Sequence, residues 1–168
     1  MFYGLTAEPL QEEGVFLLGK DPVEVGGIWF VGLGGAPPGV FEGTQVFPGH
    51  PYATSEECDT AISSLLVPQL VHPQYILITH FPTFSQGEIQ TKGILASAGS
   101  QSLENLISSH SSEILLFISG HIHRQMNCEN FYGTHSVNPG STLFGNYAMV
   151  TLELKEQWKV SEVLLKSL

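Results

Sequence analysis

Two short apolar runs set the pattern of this chain, Ile76-Leu-Ile-Thr-His80 and Leu116-Phe-Ile-Ser-Gly-His121-Ile-His123, and each closes on histidine. Both are rich in Ile, Leu and Phe, too short for a typical helix, and lack the polar alternation of a strand with one wet face. They read as strands buried on both faces. Val15 to Leu18 and Ile28 to Leu33 are further apolar runs, separated by Gly19-Lys-Asp-Pro22 and Gly26-Gly27, and predict a strand-turn-strand unit. Met1 to Glu13 shows no clean period.

Helical spacing occurs twice. Thr54-Ser-Glu-Glu57 has the form of a capping box, and Cys58, Ala61, Ile62 and Leu65 follow on one face until Pro68. Ser100 or Ser102 can cap a second helix whose Leu103, Leu106 and Ile107 share a face. Strand, loop, helix and strand then make one crossover, which brings the two histidine-bearing strand ends to the same edge of a parallel sheet. Two Gly- and Pro-rich stretches, 34–53 and 81–99, are expected as long loops that shape a cleft, with Phe81 and Phe84 exposed. Past Arg124 come short strands around Gly133, the turn Val137-Asn-Pro-Gly-Ser141, and two strands, Ala148 to Leu154 and Trp158 to Leu165, joined at Lys155-Glu-Gln157.

The 168 residues suit a single domain, 1–168, with a sizeable core. Sixteen acidic against six basic residues give a formal charge of −10, which argues against an extended nucleic-acid groove. No apolar run reaches the length of about 18 residues that spans a bilayer, and the first residues lack a basic-then-apolar leader. The expectation is a cytoplasmic chain. Cys58 and Cys128 form no Cys-x-x-Cys spacing and are expected as reduced thiols.

In open α/β sheets, chemistry gathers just past the carboxyl ends of the strands. His80, His121 and His123 stand there, and in extended backbone residues 121 and 123 would point the same way, with Ile122 turned to the core. A lone histidine after a strand is usually a solvated or hydrogen-bonded residue; three at two neighbouring strand ends make a metal-ligand set. A single zinc ion held by all three, with an open water position, is one way to use them. Arg124 can offer a charged fork to phosphate, or serve as an exposed turn residue. His50, in Pro48-Gly-His-Pro51, is a weaker substrate-binding candidate, since loop histidines are common. His72, His110 and His135 read as structural or solvent-facing, and Asn138 as a residue that shapes its turn.

These motifs resemble the C-terminal half of the calcineurin-like metallophosphoesterases. The likeness runs from about Val25 to Leu154 through Val31-Gly-Leu-Gly-Gly35, Leu77-Ile-Thr-His80 with Pro82, Gly99-Ser100, Ser119-Gly-His121-Ile-His123 and Asn138-Pro-Gly-Ser141. It implies an α/β fold, part of a four-layer αββα sandwich with a mixed sheet and C-terminal antiparallel strands. It also implies a two-metal site for hydrolysing phosphate mono- or diesters, with His80 and His121 on one ion, His123 on its neighbour and a bridging hydroxide as nucleophile. The ions implied for the complete site are two divalent cations, Mn, Fe, Zn or Mg.

The family's N-terminal half brings an Asp-x-His, a bridging Gly-Asp and a Gly-Asn-His. None of these occurs here, where the only aspartates are Asp21 and Asp59. No catalytic residue beyond the ligands is therefore assigned, and this chain alone is expected to bind a partial metal set or none. Two readings follow. Either Met1 is internal to a longer hydrolase acting on a small phosphorylated substrate, or the chain is a non-catalytic interaction scaffold with a protein partner.

Overall fold

The computed structural model describes residue 18 and residues 22–42, 44–65, 74–91 and 94–168. The expectations for Met1 to Glu13, for the strand from Val15, for His72 and for the stop at Pro68 lie outside the described residues. The main sheet has six strands. β1 (Val23–Val25) and β2 (Ile28–Leu33) form a hairpin, and α1 (Ser55–Leu65) leads to β5 (Tyr75–Thr79). α2 (Gln101–Ser109) then leads to β8 (Ile114–Ile118), and β9 (Asn127–Phe131) turns back into β10 (Thr134–Asn138). The order is β1-β2-β5-β8-β10-β9, with β2, β5, β8 and β10 parallel and an antiparallel strand at each edge.

Alternation along the central strands explains why they carry apolar residues without a break. Tyr75 and Leu77 of β5 and Phe117 of β8 face the helices, where they meet Cys58, Ile62, Leu65, Leu103 and Ile107. Ile76 of β5 and Leu116 of β8 face the other way, onto β11 (Asn146–Leu154) and β12 (Trp158–Ser167). That long antiparallel hairpin forms a second, two-stranded sheet and lays Val150, Leu152, Val160 and Val163 on the first. Helices, main sheet and hairpin are thus stacked as α, β and β layers. Both faces of β5 and β8 are dry, so polar alternation has no place in them.

Both helices start on caps. The Glu57 N–H donates to Thr54 Oγ1 at 3.2 Å, and Glu57 returns a carboxylate oxygen to the Ala53 N–H at 2.7 Å. Ser100 Oγ accepts from the Leu103 N–H at 3.2 Å, so Ser100 rather than Ser102 is the cap.

The Gly- and Pro-rich stretches depart from the expectation of two loops. They contribute β3 (Gly39–Phe41) and β4 (Thr44–Phe47), and β6 (Glu88–Thr91) and β7 (Ile94–Ser97), which join as a four-stranded sheet in the order β4-β3-β7-β6. Pairing of Val40 with Ser97 connects the two hairpins. Phe81 also differs from expectation: it is fully buried against the helix-side core, edge-on to Tyr52, whereas Phe84 is exposed.

Candidate functional site

Backbone hydrogen bonds carry the sheet one residue beyond its strands. The His80 N–H donates to the Leu33 carbonyl at 3.1 Å, and the His80 carbonyl accepts from the Gly120 N–H at 3.0 Å. Ser119 donates its N–H to Val137. Four parallel strand ends are thereby tied in a row, and His80 lies beside the turn that bears His121. His121 Nδ1 stands 3.2 Å from His80 Nε2, with the two rings edge-on at a centroid separation of 5.1 Å.

The backbone at His121 is not extended. Its φ of 66° is left-handed, so the simple alternation that would send His121 and His123 to one side and Ile122 to the other does not apply. Such a conformation costs an L-residue about 1–2 kcal/mol, though histidine tolerates it better than most. Asn138 holds the turn. Its Nδ2 donates to the carbonyls on either side of His121, those of Gly120 and Ile122, at 3.5 and 3.4 Å, while its Oδ1 accepts from the Gly140 N–H at 2.9 Å. Asn138 therefore shapes its own turn and the histidine turn together. Its Asn-Pro-Gly context signalled only the first role.

Partial desolvation lowers the basicity of both rings, of half-buried His121 and of the more exposed His80. His80 is held below the ordinary imidazole value by desolvation first and the charge of His123 second. For His121 the causes are desolvation, then His80, then His123. His123 is exposed, yet near enough for its charge to bear on both. Neutral rings are what a metal requires.

Do these residues fit the ions that the motif implies? Two imidazole nitrogens about 2.0–2.1 Å from one ion and 3.2 Å from each other subtend about 100° at it, close to the tetrahedral angle. The His80–His121 pair fits one ion. A two-ion centre is a different matter, because hard cations need anionic oxygen and a bridge. Among the described residues, no three His, Cys, Asp or Glu side chains gather closely enough to enclose an ion.

Arg124 lines a polar cleft of about 600 Å³ next to this turn. The cleft shares Ser119 and Asn138 with the histidine turn, and its far walls come from the 82–88 segment and from the β9–β10 edge. Gln86 links those walls: its Nε2 donates to Glu129 Oε1 and to Ser136 Oγ, both at 2.8 Å, and its Oε1 accepts from Thr83 Oγ1 at 3.0 Å. Nothing in the local sequence around Gln86 marks this bridge, which depends on a partner more than forty residues away. Among the described residues, none of the 34–53 segment lines this cleft. His50 is exposed, paired through its backbone with Ala36, and not part of the cleft lining.

A mixed sheet flanked by helices and an antiparallel hairpin, with paired histidines at the parallel strand ends, defines an α/β protein of the metallophosphoesterase type. The family described as metallophosphoesterase, calcineurin superfamily, matches residues 65–161, more than half of the sequence. The chain belongs to that family. One crystal structure superimposes with a TM-score of 0.60 at 19% identity, covering 89% of this chain and 53% of its own. The crystal structure of TT1561 of Thermus thermophilus gives 0.53 at 17% identity, covering 89% and 58%. Both share the fold, and the chain spans little more than half the length of either. No curated protein matches the sequence.

Proposed function

We propose that this chain provides the histidine half of a metal-dependent phosphoesterase centre, in which His80 Nε2 and His121 Nδ1 hold one divalent ion and His123 serves a second. The observation that carries this reading is the 3.2 Å approach of two depressed-basicity imidazoles at adjacent parallel strand ends, in a chain of this family. When bound, such an ion supplies Lewis-acid stabilisation of phosphoryl oxygen and lowers the pKa of coordinated water. The chain's own residues bind and orient. The two rings present neutral nitrogen, Asn138 fixes the turn that carries one of them, and Arg124 offers a planar, permanently charged fork to the phosphate oxygens of a small ester.

A two-ion centre also needs carboxylates, which the described residues do not bring to these histidines. Hydrolysis by the complete site would need acidic groups beyond those that the described residues place here, and the histidine half is measurable by itself. Equilibrium dialysis with zinc and manganese tests it. Wild type takes up at least one ion per chain, and His80→Ala or His121→Ala weakens uptake at least tenfold. Wild type without uptake, together with a specific protein partner, would replace this reading by that of a scaffold.

A further inference from the structure

The cleft beside the histidine turn has a chemistry of its own. Its walls are polar, and its volume of about 600 Å³ suits a small molecule. Glu129 stands on the edge strand with one carboxylate oxygen fixed by Gln86, so that the carboxylate is aimed before any ligand arrives. Gln86 is itself held by Thr83 and Ser136, which makes the arrangement a connected set rather than a loose surface acid. Across the cleft Gln125 donates from its Nε2 to the Glu88 carbonyl at 3.3 Å. The lining thus sets two carboxylates, Glu88 and Glu129, among amide and hydroxyl side chains. Arg124, the cation of the lining, lies one residue beyond His123, on the side shared with the histidine turn.

Two ligand types fit this wall poorly. A polyanion would meet Glu88 and Glu129 with a single arginine to offset them. A nucleobase wants a free aromatic face, but Phe131, the aromatic residue of the lining, packs into the helix-side core and edge-on against Tyr132 at 4.7 Å. Neutral hydroxyl donors suit it: each O–H donated to a carboxylate or an amide oxygen satisfies the acceptor without bringing charge. We infer that this cleft receives the polyhydroxylated part of a phosphorylated substrate, a sugar or polyol phosphate, with the phosphate toward Arg124 and the histidine turn. The inference rests on the phosphoesterase reading for where the phosphate sits.

The test is a binding panel on metal-free protein, so that no turnover intrudes: ribose 5-phosphate, ethyl phosphate, inorganic phosphate and ribose, followed by ligand-observed NMR. Wild type binds ribose 5-phosphate roughly tenfold more tightly than ethyl phosphate, the size expected of hydrogen bonds to a charged acceptor. Glu129→Ala brings the two affinities together. Glu129→Gln, which keeps the side-chain volume, reduces the ratio without disturbing the fold, and Arg124→Ala weakens both esters alike with the ratio kept. Equal affinities in wild type, or a ratio untouched by both Glu129 variants, would overturn the proposal. Failure of the histidine-site reading shows separately, as zinc uptake indifferent to His121→Ala in the same preparations, and does not alter the ribose-to-ethyl ratio.

Discussion

His121 is placed by forces that act on its backbone as much as on its ring. A left-handed histidine between two carbonyls that both accept from Asn138 is a strained residue held by a half-turn of hydrogen bonds. Asn138→Ala is expected to cost about 1–3 kcal/mol, because it removes the acceptor of the Gly140 N–H and one of the two donors to each of the Gly120 and Ile122 carbonyls, which keep only the Ile122 and Gln125 backbone N–H. It should also weaken zinc uptake about tenfold, as loss of a residue that orients a ligand does. Chemical denaturation and dialysis on one preparation check both. The pH response has a definite sign. Unfolded, His80 and His121 protonate near the ordinary 6.5; folded, burial moves that step lower. The unfolded chain then binds more protons in this window, so stability is full above pH 6.5 and declines as pH falls through the folded values. Thermal melts at stepped pH should show this decline, and it should be shallower in His80→Ala/His121→Ala.

At the scale of elements, much was legible because local pattern and tertiary demand agree. β5 and β8 read as strands since both faces are covered, and the two helices announced themselves through Thr54, Ser100 and their apolar faces. The β3–β4 and β6–β7 hairpins were not legible. The Gly and Pro around them signal loop, the strands are only three or four residues long, and the pairing of Val40 with Ser97 that joins the two hairpins into one sheet lies in no local window. Phe81 was misread for a similar reason: it follows a strand end, yet Tyr52 from another loop covers it. His80 and His121 were found by spacing, whereas Gln86 and Glu129 gave no sequence signal. Glycines in the motif divide in the same way. A Cβ on Gly99 would collide with the Thr83 carbonyl, while one on Gly120 would meet only the His80 carbonyl, at an ordinary 3.5 Å. Gly99→Ala should therefore destabilise by about 1–3 kcal/mol, the cost of overpacking against atoms that cannot yield. Gly120→Ala should stay within about 0.5 kcal/mol of wild type, despite its place beside His121, as urea titration of both will show.

On the scale of the molecule, two layers clasp a sheet whose carboxyl ends bear the paired histidines, and the chain's −10 charge is compatible with the metal cations of the proposed site. Among the described residues, no helix is long and apolar enough to cross a membrane. The proposed two-ion centre needs anionic oxygen beside the histidines, which the described residues do not gather there. On the proposed reading, the described residues contribute the imidazole pair. A zinc titration followed through the imidazole nitrogen resonances of labelled protein tests that contribution at the level of atoms. His80 Nε2 and His121 Nδ1 should move together and saturate at the same zinc equivalent, with His135, which lies in β10, unmoved. Movement of only one of the pair, or of neither while other histidines respond, would contradict the account.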